Sequence, residues 1–147
     1  MITFFVPGKP VAKARGRAAI GKKKGKPFIY SDATTSTYEA CVGLICKQAM
    51  ARAKVKQLTG PVSLEIIFRF AVPKSWTKKQ KEMVPLAHTA TPDLDNLVKA
   101  IKDGMNGVAW EDDSQVSIVY AKKLYSNNAD GAYVTVSDLE TDKKGDI

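Results

Sequence analysis

Two pairs of carboxylates stand close together in the sequence and could share one chemical task. Asp93 and Asp95 fall at the start of a predicted helix, and Asp112 and Asp113 follow soon after its end. A hard cation such as Mg²⁺ binds carboxylate oxygens held on a rigid frame and keeps other positions for water and phosphate oxygens. Clustered carboxylates would repel one another unless a cation neutralised them. The pattern therefore indicates a metal site suited to phosphodiester hydrolysis.

Each acidic pair also has a purely structural interpretation. Asp93 follows Pro92 and could cap the helix, while Asp95 could interact with the positive end of the helix dipole. Asp112 and Asp113 could be ordinary turn residues ahead of a strand. The sequence leaves these interpretations open for each pair alone, whereas one metal site explains both pairs together.

Other polar and aromatic residues near the acidic pairs are weaker candidates for chemistry. Lys99 lies one helical turn after Asp95, where it could form an ion pair or orient a scissile phosphate. His88 is the single histidine and is predicted to be a surface residue of the preceding loop rather than a catalytic base. Trp76 and Trp110 are predicted to be buried, with stacking on bases as the alternative.

The net charge of +8 comes entirely from the N-terminal segment. Residues 1–31 contain no acid, and the rest of the chain has equal numbers of basic and acidic residues. This basic arm contains Lys9, Lys13, Arg15, Arg17, Lys22, Lys23, Lys24 and Lys26. An arm of this charge is typical of phosphate contact with nucleic acid, and a solvated loop is the alternative.

The length of 147 residues and the hydrophobic content of 44% predict one globular domain. We assign residues 1–140 to it, with a basic loop at 8–27 and a polar tail at 141–147. The chain has neither an apolar run of the ~20 residues that span a bilayer nor a signal-peptide pattern, so a cytoplasmic protein is expected. Cys41 and Cys46 are predicted to be buried thiols rather than a disulfide, and with one histidine they cannot complete a zinc site.

Hydrophobic periodicity predicts an α/β (α+β) domain with a mixed or antiparallel sheet packed against two main helices. The first helix is predicted to begin at a capping box formed by Ser36 and Glu39. Its predicted apolar stripe consists of Tyr38, Cys41, Val42, Ile45 and Ala49. The second helix is predicted from Asp93 to about Asn106, with its apolar face formed by Leu94, Leu97, Val98, Ile101 and Met105.

Five segments have the composition or period of strands. The stretch "VSLEIIFRFAV" alternates, with Val62, Leu64, Ile66, Phe68 and Phe70 on one face. The other segments are "ITFFV", "PFIYS", "QVSIVYAKKLY" and "GAYVTVSDL". A short basic helix or loop, "PKSWTKKQKEM", is predicted to follow the alternating strand.

The acidic segment "PDLDNLVKAIKDGMNGVAWEDDSQV" and the opening "PGKPVAKARGR" resemble the RusA family of Holliday junction resolvases, small endodeoxyribonucleases frequent in prophages. The resemblance implies that Asp93, Asp95 and Asp113 are metal-binding catalytic carboxylates, that Asp112 is an additional candidate ligand, and that Lys99 is a catalytic lysine. It also implies Mg²⁺ as cofactor, with Mn²⁺ as a substitute, and a homodimer that cuts opposed strands of a four-way junction. No organic cofactor or membrane partner is implied.

We therefore expect a Mg²⁺-dependent endonuclease that resolves four-way DNA junctions by paired nicks in recombination and repair. One alternative is a metal-dependent nuclease for other branched or single-stranded DNA. The other is a non-catalytic nucleic-acid-binding module, in which the basic arm binds and the acids are only caps and turns.

Overall fold

The computed structural model describes residues 1–13 and 33–139, together with the backbone of 18–19 and 28–29. Five strands form one sheet in the order β1-β7-β4-β6-β5, and the remaining two form a separate ribbon. The strands are β1 (Ile2–Pro7), β2 (Ala18–Ala19), β3 (Phe28–Ile29), β4 (Val62–Ala71), β5 (Leu86–Ala87), β6 (Val116–Ser126) and β7 (Gly131–Asp138). The helices are α1 (Ala33–Ala53), α2 (Lys78–Lys81) and α3 (Leu94–Met105), and a single 3-10 turn spans Asp113–Gln115.

The sheet is mixed, which confirms the predicted fold class. β4 runs parallel to β6 and antiparallel to β7, so β4 lies between two strands that are consecutive in sequence. The predicted alternation of β4 is confirmed, since all five residues of its predicted apolar face, Val62, Leu64, Ile66, Phe68 and Phe70, are buried. They form one core with β1, β7 and the apolar faces of α1 and α3.

Helix α1 begins at Ala33, so the predicted capping box at Ser36 and Glu39 is wrong. The Glu39 carboxylate instead accepts a hydrogen bond from Lys13 Nζ at 2.6 Å, a contact between residues distant in sequence. Cys46 is buried as predicted, and burial raises the pKa of its thiol to about 11. Cys41 is exposed, which corrects its prediction. The buried face advances three or four residues at a time through Thr35, Tyr38, Val42, Cys46 and Met50.

Helix α3 packs closely against α1 because a glycine lies at the contact. A Cβ atom at Gly104 would stand 2.8 Å from the Glu39 carbonyl oxygen and 2.8 Å from Val42 Cβ. Only a residue without a side chain permits this approach. Leu97, Ile101 and Met105 are fully buried, which confirms most of the predicted apolar face and fixes the rotation of α3. The helix ends at Met105 with Asn106 as its C-cap, which confirms the predicted end at about Asn106.

The shortest elements of the fold agree only in part with the sequence predictions. The strand expected within "PFIYS" is present as β3, and the basic segment after β4 contains the short helix α2. Strand β5 was not predicted, because two residues are too short for a periodic signal. Within the described ranges, the structure contains no helix of the length and apolar character needed to cross a membrane.

Candidate active site

The chain reaches the start of α3 through a segment held by a lysine of the neighbouring strand. Lys123 Nζ donates to the carbonyl oxygens of Ala90 and Pro92, each at 2.8 Å. The next residue, Asp93, occupies the N-cap position, but its side chain makes no capping hydrogen bond. The capping interpretation therefore holds for the backbone of Asp93 and not for its carboxylate, which is exposed.

The second acidic pair lies at the 3-10 turn just before β6, so Asp113 belongs to this turn and not to the strand itself. The indole Nε1 of Trp110 donates to Asp113 Oδ1 at 2.9 Å. Trp110 is fully buried, which confirms the prediction that it belongs to the core. A buried, rigid donor thus fixes the orientation of the Asp113 carboxylate.

The side chain of Asp112 has a different hydrogen-bond partner from that of Asp113. Its side chain accepts a hydrogen bond from the backbone N–H of Ser114 at 2.9 Å and caps the 3-10 turn. Hydrogen bonding to the side chain of Ser114, followed by the bond from its backbone N–H, lowers the pKa of Asp112. The turn interpretation therefore describes Asp112, whereas Asp113 directs its carboxylate toward Trp110 and a cavity.

The side chain of Gln115 connects the 3-10 turn to the segment that precedes β4. Its amide nitrogen donates to the carbonyl oxygens of Leu58 at 2.8 Å and Gly60 at 3.0 Å. Its amide oxygen accepts from the backbone N–H groups of Glu111 and Asp112. Sequence reasoning missed this residue, because its partners around position 60 are distant in the chain.

One cavity of about 140 Å³ brings the two acidic segments together. It is lined by Asp95, Val98, Lys99, Lys102 and Asp113. Three residues predicted for catalysis therefore converge, with Asp95 and Lys99 offered from α3 and Asp113 from the 3-10 turn. Lys102 was not predicted, although its position one turn beyond Val98 on α3 was a usable signal. Asp93 does not line this cavity.

The two lysines differ in what surrounds them. Lys99 is exposed, and its Nζ lies 3.6 Å from Asp103 Oδ1, one turn further along α3. At this distance and exposure the ion pair contributes little to stability, on the order of 0.3–0.5 kcal/mol. Lys99 can therefore exchange Asp103 for a phosphate oxygen at small energetic cost. Lys102 is half-buried beside it.

The donor set fits a magnesium ion only in part. Among residues 1–13 and 33–139, no three histidine, cysteine or acidic side chains are grouped so that they could hold a metal. Asp93, Asp95 and Asp113 thus do not form a ready three-ligand group. However, magnesium in phosphoryl chemistry is commonly held by one or two carboxylates, with water and substrate phosphate completing the octahedron. Asp95 and Asp113, at the rim of one cavity, meet that requirement.

His88 is buried, which corrects its prediction as a surface residue. Its ring stacks on Phe70 with centroids 4.2 Å apart and tilts against Tyr125 at 4.6 Å. Burial, followed by the charges of Lys123 and Lys9, lowers the pKa of His88. Its role in the described structure is packing next to β5. Trp76 is half-buried, with its ring centroid 4.6 Å from that of Tyr125.

Most of the basic arm lies outside the described residues, namely Arg15, Arg17, Lys22, Lys23, Lys24 and Lys26. Lys9 is exposed. Lys13 joins α1 to α3, since its Nζ lies 2.6 Å from Glu39 Oε1 and 3.2 Å from Asp103 Oδ2. The hydrogen bond to Glu39 is the main cause that raises the pKa of Lys13. Lys13 therefore has a structural task, and its contact with DNA stays a prediction.

Asp103 connects the arm to the candidate site. One oxygen of its carboxylate faces Lys13, and the other faces Lys99. Asp103 therefore contacts both residue 13 of the arm and a lysine that lines the cavity. The backbone contributes as well, since Lys13 N donates to Asn96 O at 2.9 Å in the first turn of α3.

Two proteins and one protein family are similar in sequence to this chain. The chain is 36% identical over 130 residues to the uncharacterized protein YqaN of Bacillus subtilis (strain 168), covering 85% of this chain and 88% of that protein. It is 32% identical over 109 residues to the crossover junction endodeoxyribonuclease rusA of Lactococcus phage r1t, covering 71% of this chain and 74% of the phage protein. The profile of the family described as Endodeoxyribonuclease RusA matches residues 7–137. The resemblance seen in the acidic segment is thereby confirmed, and the chain belongs to the RusA family of endodeoxyribonucleases.

Proposed function

We propose that this protein is a Mg²⁺-dependent endonuclease that resolves four-way DNA junctions by paired nicks, acting as a homodimer in the cytoplasm of a bacterial or phage-infected cell. The observation that carries the proposal is the single cavity shared by Asp95, Lys99 and Asp113. Acids for a cation and a lysine for a phosphate converge there from two separate segments. Membership of an endodeoxyribonuclease family supports the chemistry, and the name of the phage relative supports the junction as substrate.

In this proposal, Asp95 and Asp113 hold the cation, and Asp93 is a further ligand at the helix start. When bound, magnesium lowers the pKa of a coordinated water and offsets the charge of the phosphate. The indole of Trp110 keeps Asp113 oriented, which leaves the second carboxylate oxygen for the cation. Asp112 is occupied in the cap of the 3-10 turn and acts as support.

The lysines act on the substrate. Lys99 is exposed at the cavity and weakly paired, so it can donate to a non-bridging oxygen of the scissile phosphate. Lys102 adds a second positive charge on the same side of α3. The basic arm supplies the remaining attraction for DNA, since the whole excess charge of the chain lies there.

The test compares DNA substrates that differ only in branching. Purified protein is incubated with a four-way junction, a three-way junction, a flap, a linear duplex and a single strand, each with Mg²⁺ and with EDTA. We expect symmetrical paired nicks in the four-way junction with Mg²⁺ and none with EDTA. Preferential cutting of flaps or single strands would support a nuclease of other specificity, and binding without any cutting would support a non-catalytic module.

A further inference from the structure

Strand β6 contains two adjacent lysines whose side chains lie on opposite faces of the sheet. Lys122 is exposed and lines a cavity of about 340 Å³ together with Arg69 of β4. Lys123 is half-buried, and its Nζ donates to the carbonyl oxygens of Ala90 and Pro92, each at 2.8 Å. Neighbouring residues of a strand alternate between the two faces, so only Lys123 is directed toward the segment before α3.

Lys123 contacts the segment between β5 and α3 through its backbone as well as its side chain. The backbone N–H of His88 donates to Lys123 O at 3.1 Å, directly after β5. The side chain then contacts Ala90 and Pro92, closer to the helix. Hydrogen bonds from a charged donor are shorter and stronger than those between neutral groups. Lys123 therefore fixes the path of the chain up to the last residue before Asp93.

Asp93, which follows this segment, is the N-cap residue of α3. An aspartate at this position ordinarily fixes the start of a helix by accepting a hydrogen bond from a backbone N–H of the first turn. The Asp93 side chain makes no such bond, although its backbone is extended as an N-cap requires, with φ −69° and ψ 142°. The start of α3 thus has the backbone geometry of a cap without the side-chain bond.

We infer that Lys123 is a positioning residue for the metal site. Its two hydrogen bonds hold the backbone before Asp93, a task that a capping side chain otherwise performs, and they leave the Asp93 carboxylate to the cation. This inference rests on the proposed function, in which Asp93 is a further ligand. Lys123 would act on Asp93 through the backbone, whereas Trp110 acts on the carboxylate of Asp113 directly.

A purely structural role for Lys123 is the alternative, and it predicts a different result. Ala90 is exposed and Pro92 is half-buried, so water can replace the lysine at their carbonyl oxygens without leaving a buried acceptor unsatisfied. Loss of the lysine should therefore leave the domain folded and act mainly on the position of Asp93. A structural role would instead lower the melting temperature and leave the cation affinity of the folded protein unchanged.

Binding of Mn²⁺ in the absence of DNA, followed by the electron paramagnetic resonance signal of free Mn²⁺, tests the inference independently of cleavage. Lys123→Met removes both hydrogen bonds and should weaken Mn²⁺ binding about 10-fold or more. Removal of a positive charge by itself favours a bound cation, so a loss of affinity reports positioning rather than charge.

Two further variants complete this measurement. Lys122→Met is the matched control, because it removes the same charge from the adjacent residue on the opposite face, and it should bind Mn²⁺ at least as tightly as the wild type. Lys123→Arg keeps the charge and offers several donors to the two carbonyl oxygens, so it should recover most of the lost affinity.

A double-mutant cycle shows whether Lys123 acts through Asp93. In the Asp93→Asn background, Lys123→Met should weaken Mn²⁺ binding by less than about twofold further, because the carboxylate that it positions is already gone. Equal losses in both backgrounds would overturn the inference, as would a Lys123→Met protein that binds Mn²⁺ like the wild type. Circular dichroism and thermal melting are recorded for every variant. An unfolded Lys123→Met protein would identify the lysine as structural and would also overturn the inference.

Junction cleavage in Mg²⁺ by the same proteins separates this inference from the proposed function. A wild type that shows the expected Mn²⁺ binding pattern but cuts no junction would refute the proposed function and leave the role of Lys123 standing. A wild type that cuts the junction, with unchanged Mn²⁺ binding in Lys123→Met, would do the reverse. A wild type that binds no Mn²⁺ would overturn the metal site and this inference together.

Discussion

The indole Nε1 of Trp110 lies 2.9 Å from Oδ1 of Asp113 and donates a hydrogen bond to it. Trp110 has no exposed surface, so the bond joins the hydrophobic core to the rim of the cavity that also contains Asp95 and Lys99. A carboxylate held by a buried donor loses little conformational freedom when it binds a cation. The contact therefore explains why a tryptophan stands three residues before the acid that we assign to the metal.

Replacing Trp110 with phenylalanine should separate orientation from packing. Trp110→Phe keeps an aromatic ring but removes the N–H donor, so cleavage should fall about 10–100-fold and the half-saturating Mg²⁺ concentration should rise. Trp76→Phe is the control, because Trp76 packs on Tyr125 away from the cavity lining. The measurement is junction cleavage as a function of Mg²⁺ concentration. Equal Mg²⁺ dependence in wild type and Trp110→Phe would refute the orienting role.

His88 should make stability depend on pH. Its folded-state pKa is lowered, mainly by burial, from the ordinary value of about 6.5. The unfolded chain therefore binds the proton more readily, and the stability that comes from neutral His88 is lost as pH falls below about 6.5. We expect the free energy of unfolding to drop more between pH 7.5 and pH 5.5 in wild type than in His88→Phe.

Urea denaturation at the two pH values measures this difference. His88 is the single histidine, so the variant removes the only side chain that ordinarily titrates near pH 6.5. Phenylalanine keeps a flat ring between Phe70 and Tyr125. Identical pH dependence in both proteins would show that His88 does not contribute.

The basic arm should control the salt dependence of junction binding. Replacing Lys22, Lys23 and Lys24 by alanine should reduce the slope of log affinity against log salt by about 0.9 for each DNA phosphate that the arm no longer neutralises. The control changes three exposed lysines in the last turns of α1 and just after its end, in the variant Lys47→Ala, Lys54→Ala, Lys56→Ala. Fluorescence anisotropy at several salt concentrations, in Ca²⁺ to prevent cutting, gives the slopes. Equal slopes for both triple variants would show that the lysines of the arm do not contact DNA phosphates and that the arm is a solvated loop.

The sequence predicts the structure correctly where a regular hydrophobic period within one segment determines it. The alternation of β4 and the apolar face of α3 are direct consequences of burial on one side, and both are found. The predicted bounds of α3 also placed one acidic pair at the start of the helix and the other just beyond its end. Their convergence in one cavity could be suggested from the sequence, but it depends on the packing of α3 against the sheet.

The errors arise where distant contacts decide the outcome. Glu39 has capping-box spacing after Ser36, yet its carboxylate binds Lys13, and the helix begins earlier. His88 precedes α3 in a segment without a periodic signal, but the pairing of β5 with β6 places it against the rings of Phe70 and Tyr125. Adjacent aspartates cannot be distinguished by sequence pattern. Only the structure shows that Asp112 caps the 3-10 turn and that Asp113 accepts a hydrogen bond from Trp110.

The central claim is that Asp113 and Asp95 form the metal site while Asp112 only caps the turn, and a set of asparagine variants tests it directly. Asparagine caps a turn about as well as aspartate but cannot supply the negative charge that balances Mg²⁺. The measurement is the rate of four-way junction cleavage in Mg²⁺ by Asp113→Asn, Asp95→Asn and the matched control Asp112→Asn, with melting and junction affinity in Ca²⁺ recorded for each. We predict folded, junction-binding proteins in all three cases, a loss of more than about 100-fold for Asp113→Asn and Asp95→Asn, and near wild-type cleavage for Asp112→Asn. A stable Asp113→Asn protein that binds the junction and still cuts at the wild-type rate would contradict the account.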